Sequence, residues 1–266
     1  MKDMIINSSE LSRRGITTIY FDTIDSTSSA ARRYATDGGN TPALFVANSQ
    51  SAGRGRLGRS FYSPADTGIY ETLLIDVTSD SSASLSLVTS AVAVAVSDAI
   101  WETLQIECQI KWVNDVYVNG RKACGILAES FFVGDRRFLA IGIGVNLGTE
   151  DFPAELDGIA TSLCTSFTQA LRARLASRIA ASVFDIYGDV KSGNRSFMDK
   201  YRSRSAVLGN QISFTKNGVT KSGVASEIND EGHLTVILDD QSRKILSSGE
   251  ISVRLQQTNN GGQTDE

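Results

Sequence analysis

"SAGRGRLGRSFYS", residues 51–63, decides between two predictions of the fold, because glycine and arginine alternate in it without an acidic residue. Residues 53–58 match the G-x-G-x-x-G pattern of a dinucleotide-binding turn, and the apolar run 43–48 predicts the strand that precedes such a turn. The helix that must follow is missing, since residues 60–68 (SFYSPADTG) have the composition of a turn. We therefore expect a basic loop, here called the arginine loop (residues 51–63), and not a dinucleotide-binding fold.

The chemistry of the arginine loop favours a phosphate ligand. Arg54, Arg56 and Arg59 carry permanent charge on planar forks that match phosphate oxygens. The glycines between them let the backbone approach a ligand closely and expose its N–H groups. Such a loop could close over a polyphosphate and stabilise charge that develops at phosphorus. The alternative at this point is a solvated surface loop.

Composition excludes several other classes of protein. The chain has 266 residues, is 41% hydrophobic and carries a net charge of −4, which predicts a packed core and argues against non-specific DNA binding. Its single histidine excludes a Ser-His-Asp triad and a two-histidine metal site. Three widely spaced cysteines, with no signal peptide and no bilayer-length apolar run, predict a reduced cytoplasmic location and no membrane partner.

Apolar periodicity predicts an α/β chain with a small β unit at its C-terminal end. The predicted strands of the larger unit are 16–22, 43–48, 68–77, 108–118, 122–133 and 136–147. A helix should begin near residue 27, and further helices are predicted at 85–104, 168–190 and 194–203. The β unit should contain strands at 211–215, 222–228, 233–238 and 243–247. We expect domains at 1–205 and 206–256, followed by a disordered tail at 257–266.

Four further clusters are candidates for a binding site. Residues 111–115 (KWVND) put three polar groups in the predicted strand 108–118, so at least one should face a site. Lys122 precedes small residues that leave room for a ligand, and residues 142–146 (GIGVN) combine close backbone approach with an amide. The hydroxyls of residues 26–28 could bind a neutral polar group. Taken singly, each cluster could instead be a surface strand or a helix cap.

Taken together and in this order, the clusters resemble the motifs of biotin protein ligases. That family is recognised by GRGRxGR, KWPND and a GKKxxGIL-like strand, and the resemblance runs from about residue 18 to 255. Residues 248–254 (SGEISVR) also resemble the end of the family's small β domain. The matching segments are 26–28, Gln50 with 53–59, 111–115, 122–127 and 142–146.

The resemblance implies a fold, a reaction and partners. The fold would be a mixed β-sheet catalytic domain flanked by helices, with a C-terminal SH3-like β-barrel. Biotin would be activated by ATP with Mg²⁺ to biotinyl-5′-AMP and then transferred to a lysine of a biotin carboxyl carrier protein. A homodimer is possible in this family. The alternatives are a lipoate–protein ligase or lipoyl transferase, and a non-catalytic nucleotide- or RNA-binding module.

The same resemblance implies roles for individual residues. Lys122 and Arg56 would be catalytic, and Asp115 would contact Mg²⁺. Biotin contacts are implied for Ser26, Thr27, Ser28, Gln50, Arg54, Gly55, Arg56, Lys122 and Gly125. Contacts to ATP or the adenylate are implied for Arg56, Arg59, Phe61, Lys111, Asn114 and Asn146.

Several residues depart from the family pattern. Ser28 stands where asparagine is common, Val113 replaces the proline of KWPND, and Phe61 replaces a frequent tryptophan. Leu57 and Ser60 make the arginine loop less basic than in other members. About 15 residues precede the first predicted strand, too few for the winged helix-turn-helix of the family's repressors. We therefore expect a monofunctional enzyme that does not bind DNA.

Overall fold

Two β-sheets and five helices make up the described residues of the computed structural model, which are 6, 8–80, 87–216, 218–247 and 252–255. The helices are α1 (Ser8–Arg13), α2 (Thr27–Thr36), α3 (Val88–Leu104), α4 (Gln169–Ser192) and α5 (Phe197–Ser203). The strands of the first sheet are β1 (Thr17–Ile24), β2 (Ala43–Gln50), β3 (Gly68–Asp76), β4 (Gln109–Lys111), β5 (Asp115–Val118), β6 (Arg121–Val133) and β7 (Arg136–Asn146). The second sheet contains β8 (Gln211–Lys216), β9 (Val219–Ile228), β10 (Leu234–Leu238), β11 (Arg243–Leu246) and β12 (Ser252–Leu255).

The first sheet is mixed, with strand order β1-β2-β3-β7-β6-β5-β4. β1 and β2 are parallel, and the other neighbours are antiparallel. On one face, α2 packs over β2, β3 and β7 and buries Ala31, Phe45 and Phe138. On the other face, α3 and α4 cover a larger apolar cluster. The predicted α/β class is confirmed. Within the described residues, no helix is both long enough and apolar enough to cross a bilayer.

Local sequence explains where the elements near the site begin and end. Thr168 caps α4, because its hydroxyl accepts a hydrogen bond from the Leu171 amide at 3.2 Å. Gly193 ends α4 with a φ of 85°, a conformation that glycine adopts without strain. Asn119 and Gly120 have φ values of 50° and 74°, as the tight turn between β5 and β6 requires.

The prediction of one continuous strand over 108–118 is wrong. The structure splits this segment into β4 and β5, which pair antiparallel with Lys111 opposite Asp115. Residues 112–114 therefore form the turn of a tight hairpin, and the peptide bond between Trp112 and Val113 is cis. The alternation of apolar and polar residues breaks at this turn, where Trp112 and Val113 are followed by Asn114 and Asp115.

Tertiary contacts at the turn account for this difference. The indole Nε1 of Trp112 donates to the Gly232 carbonyl at 3.0 Å, and the Tyr201 hydroxyl donates to the Val113 carbonyl at 3.2 Å. The Asn114 amide donates to the Ile126 carbonyl at 3.0 Å. The partners lie 12 to 120 residues away in sequence, and these buried hydrogen bonds stabilise the turn.

The second sheet is antiparallel, with strand order β11-β10-β9-β8-β12. Its inward residues, including Ile212, Phe214 and Val236, join the same apolar cluster that lies under α3 and α4. Trp112 and Gly232 connect the two sheets directly. The four predicted strands of this unit are confirmed. The domain boundary at 205/206 remains a prediction, and the predicted tail at 257–266 lies outside the described residues.

Candidate functional site

Most of the predicted site residues surround one cavity between the start of α2, the arginine loop and the middle of β6 and β7. The cavity has a volume of about 40 Å³ for the centre of a water-sized sphere. Its lining includes Ser26, Thr27, Ser28, Gln50, Arg54, Gly55, Arg56, Phe61, Asn114, Lys122 and Gly125. The sequence motifs therefore converge in space, although they are spread over a hundred residues.

One end of the cavity is a network of hydroxyls and one amide. Gln50 Oε1 accepts from the Thr27 amide at 2.9 Å and from the Thr27 hydroxyl at 3.1 Å. The Thr72 hydroxyl donates to Thr27 Oγ1 at 2.9 Å and lies 3.2 Å from Ser28 Oγ. Ser26 stands at the N-cap position but makes no side-chain capping bond. These buried groups can donate and accept, which suits a neutral polar ligand.

The middle of the cavity lies against a pair of glycines. Gly125 of β6 and Gly144 of β7 are directly opposite in the register. A Cβ atom on Gly144 would lie 2.5 Å from the Phe61 ring, and one on Gly125 would lie 3.0 Å from Lys122 Nζ. Phe61 also makes an edge contact with Tyr70, with ring centroids 6.4 Å apart. The glycines thus provide the space in which the ring of the arginine loop and the Lys122 ammonium lie.

The other end of the cavity is charged. Lys122 Nζ lies 2.8 Å from Asp115 Oδ1, and both side chains are partly buried. Asn114 Nδ2 donates to the same carboxylate oxygen at 3.0 Å, and Arg56 Nη1 donates to Asn114 Oδ1 at 2.8 Å. Burial lowers the pKa of the Arg56 guanidinium, and the nearby Asp115 partly offsets this effect. Two cations therefore lie at this end of the cavity. The Lys122 ammonium is paired with the Asp115 carboxylate, and the Arg56 guanidinium is hydrogen-bonded to the Asn114 side-chain amide.

The arginine loop itself is a short hairpin. The Gly55 amide donates to the Arg59 carbonyl at 2.7 Å, and the Phe61 amide donates to the Gly53 carbonyl at 2.9 Å. Its tip is a single 3₁₀ turn at Arg56–Gly58, after which the chain runs into β3 without an intervening helix. The structure therefore agrees with the prediction that this is not a dinucleotide-binding turn.

Four predicted site residues do not line the cavity. Asp115 and Asn146 lie directly behind it, since Asp115 pairs with Lys122 and Asn146 Nδ2 approaches the Lys122 carbonyl at 3.5 Å. Arg59 is exposed on the arginine loop. Lys111 Nζ donates to the Tyr117 hydroxyl at 3.1 Å on the edge of the sheet. Their predicted contacts with ATP or metal remain predictions.

Sequence reasoning missed several residues that support the site. Ser63 accepts from the Gln50 amide at 2.9 Å, and Thr72 joins the hydroxyl network from the middle of β3. Tyr201 of α5 is fully buried and holds the β4–β5 turn through the Val113 carbonyl. Glu129 of β6 binds Arg54 with both carboxylate oxygens at 2.8 Å. Ser63 ends the arginine loop, but Thr72, Tyr201 and Glu129 belong to no local motif, so only the tertiary structure identifies these three.

Comparison with known proteins gives two matches to family models. Residues 20–146 match the biotin/lipoate A/B protein ligase family, and residues 207–254 match the biotin protein ligase C-terminal domain.

Individual proteins agree with these matches. The chain is 35% identical to the bifunctional ligase/repressor BirA of Bacillus subtilis over 238 residues, which cover 86% of this chain and 72% of that protein. It is 31% identical to the biotin–[acetyl-CoA-carboxylase] ligase of Paracoccus denitrificans over 246 residues, covering 85% of this chain and 96% of the relative. A solved biotin protein ligase from Aquifex aeolicus, in complex with biotin and ATP, superposes with a TM-score of 0.77 at 25% identity and covers 90% of this chain and 99% of that chain.

The first family model also includes lipoate ligases, but the C-terminal match and the named relatives are specific to biotin ligases. The chain therefore belongs to the biotin protein ligase family.

Proposed function

We propose that the cavity under the arginine loop is where this biotin protein ligase activates biotin as biotinyl-5′-AMP and transfers it to a lysine of a biotin carboxyl carrier protein. One observation carries this assignment to the cavity. A neutral hydroxyl–amide network and a pair of cations lie at opposite ends of the same cavity, with Phe61 and two glycines between them.

The neutral end suits the ureido group of biotin. A ureido group offers two N–H donors and one carbonyl acceptor, and it carries no charge. Thr27 and Ser28, which are buried, and Gln50, which is partly buried, supply hydrogen-bond donors and acceptors. Because these groups bond to one another when the ligand is absent, they are already oriented for it.

The charged end suits the reaction at phosphorus. A carboxylate oxygen of biotin forms a bond to the α-phosphorus of ATP, the bond from that phosphorus to the bridging oxygen breaks, and pyrophosphate leaves. Negative charge on the phosphorus oxygens grows in the transition state. The Lys122 ammonium and the Arg56 guanidinium both line this end and would stabilise that charge.

Asp115 is the residue of this site that fits a magnesium ion. Mg²⁺ is commonly held by one or two carboxylates together with substrate phosphates, and the Asp115 carboxylate lies directly behind the charged end, 2.8 Å from Lys122 Nζ. Among the described residues, no cluster of three or more His, Cys, Asp or Glu could hold a metal without substrate. When bound, Mg²⁺ would neutralise phosphate charge.

In the second step, the amine of the acceptor lysine attacks the biotinyl carbonyl carbon. A C–N bond forms, the bond from that carbon to the AMP oxygen breaks, and the amine loses a proton. A mixed anhydride of this kind reacts with water, so the closed arginine loop would protect it until the acceptor binds. On the basis of the family, we also propose that the acceptor is a biotin carboxyl carrier protein, that the enzyme is cytoplasmic, and that it can form a homodimer.

The test is biotin-dependent exchange of labelled pyrophosphate into ATP. Exchange with biotin and none with lipoate is expected, since the first step is reversible. Exchange that depends on lipoate would support a lipoate ligase instead. Absence of exchange with either acid, together with salt-sensitive retention of RNA, would support a binding module and overturn the proposal.

A further inference from the structure

We propose that Glu129 is a positioning residue that latches the arginine loop closed through Arg54, an inference that rests on the proposed function of the cavity. Arg54 Nη1 and Nη2 each donate to one carboxylate oxygen of Glu129 at 2.8 Å. This is the bidentate geometry in which arginine–carboxylate pairs are strongest and most directional. Glu129 is not part of any motif that identified the site.

The latch joins a hairpin to a central strand. Arg54 pairs with Ser60 across the base of the arginine loop through an isolated β-bridge. Glu129 lies within β6, opposite Ala140 of β7, so its backbone is fixed by the sheet. The ion pair is therefore a side-chain connection between the base of the arginine loop and the wall of the cavity.

Holding the base also determines where the rest of the loop lies. Arg56 follows Arg54 by two residues and reaches Asn114, while Phe61 follows Ser60 and lies over Gly144. If the base moves away from β6, both side chains leave the cavity. Glu129 thus acts on the reacting groups through the loop and does not itself need to touch substrate.

The exposure of the pair suits a reversible latch. The side chains of Arg54 and Glu129 are 39% and 26% exposed. Arg54, Gly55, Arg56 and Phe61 of the arginine loop all line the cavity, so any movement of the loop changes access to it. A solvent-accessible ion pair changes an opening equilibrium by roughly fivefold at most, and salt screens it.

Amide hydrogen exchange of the intact, ligand-free protein tests the latch without relying on activity. Glu129→Gln should increase exchange of the Gly55 and Phe61 amides by up to about fivefold, and added salt should accelerate exchange in the wild type more than in the variant. Asp76→Asn is the matched control, because it breaks the Arg136–Asp76 pair at 2.8 Å elsewhere on the same sheet. It should leave exchange in the arginine loop unchanged.

Two further arms complete the test. The charge-swapped pair Arg54→Glu with Glu129→Arg should exchange more slowly in the loop than either single variant. If Glu129→Gln does not fold, Arg54→Gln removes the same pair and is used instead. Loop exchange equal to wild type in Glu129→Gln, or no recovery in the swapped pair, would overturn the latch. Pyrophosphate exchange by the wild type separately tests the proposed function, so the two failures are distinguishable.

Discussion

Glu71, in the middle of β3, gives the sharpest prediction about stability. Its side chain is fully buried, and both carboxylate oxygens lack a hydrogen-bond partner among the described residues. Strand alternation puts it on the same face as Ile69 and Leu73, which belong to the apolar cluster under α3 and α4, and it also borders the cavity under the arginine loop. Burial raises the pKa of this carboxyl well above its ordinary value, because ionisation in an apolar core is unfavourable.

The direction of the pH effect follows from this shift. The folded pKa lies above the unfolded value, so above about pH 4.5 the unfolded chain has released a proton that the folded protein keeps. Folding then requires proton uptake, and the free energy of unfolding falls by about 1.4 kcal/mol per pH unit until the pH reaches the folded pKa. Below pH 4.5 both states hold the proton, and the penalty disappears.

Two substitutions separate ionisation from burial of a polar group. Glu71→Gln keeps the shape of the side chain but cannot titrate. The difference in free energy of unfolding between this variant and wild type should therefore grow by about 1.4 kcal/mol per pH unit from pH 4.5 up to the folded pKa, and should not change with pH below 4.5. Glu71→Leu also removes the unpaired polar atoms and should gain about 1–3 kcal/mol even at low pH. Urea unfolding from pH 4 to pH 7 measures both. A difference between Glu71→Gln and wild type that does not change with pH would refute the reasoning.

Three further predictions concern the site and its support. Lys122→Met should slow biotin-dependent pyrophosphate exchange by about 100-fold, and a near-normal rate would remove Lys122 from the reaction. Gly144→Ala should displace the Phe61 ring, because the added Cβ would lie 2.5 Å from it, and calorimetry should show weaker biotin binding. Gly188→Ala is the control, since its Cβ would meet nothing within 4 Å, and it should leave the affinity unchanged. Arg172→Met should cost about 3 kcal/mol in urea unfolding, because buried Arg172 donates to the Gly68 carbonyl at 2.7 Å and to Asn48 at 2.8 Å; a loss under 1 kcal/mol would contradict this.

Sequence patterns predicted the parts of the fold that local chemistry controls. Long apolar strands such as β2 and β6 and the small-residue helix α3 were predicted within a few residues of their observed bounds. The arginine loop was predicted to bind a ligand because glycine and arginine alternate in it, whereas Lys122 was predicted as a site residue only from the resemblance of the clusters taken together. The turn at Asn119–Gly120 is also controlled locally, because its positive φ values favour Asn and Gly.

The remainder depends on contacts between distant residues. The turn at 112–114 is stabilised by Tyr201 and Gly232, which lie about 90 and 120 residues further along the chain. In the sequence, Glu129 and Glu71 look like ordinary strand residues. In the structure, Glu129 binds Arg54, whereas the buried Glu71 carboxyl has no hydrogen-bond partner among the described residues. Which face a strand residue occupies, and what lies opposite it, is a property of the assembled sheet.

Retention of the intermediate tests the central claim most directly. The protein is incubated with biotin, ATP and Mg²⁺ but no carrier protein, desalted rapidly, and examined by native mass spectrometry. If the cavity under the arginine loop activates biotin and holds the product, the protein should carry one biotinyl-5′-AMP per chain, and Arg56→Ala should lose it during desalting. A wild-type protein that carries no adenylate, or an Arg56→Ala variant that retains it equally well, would contradict the account.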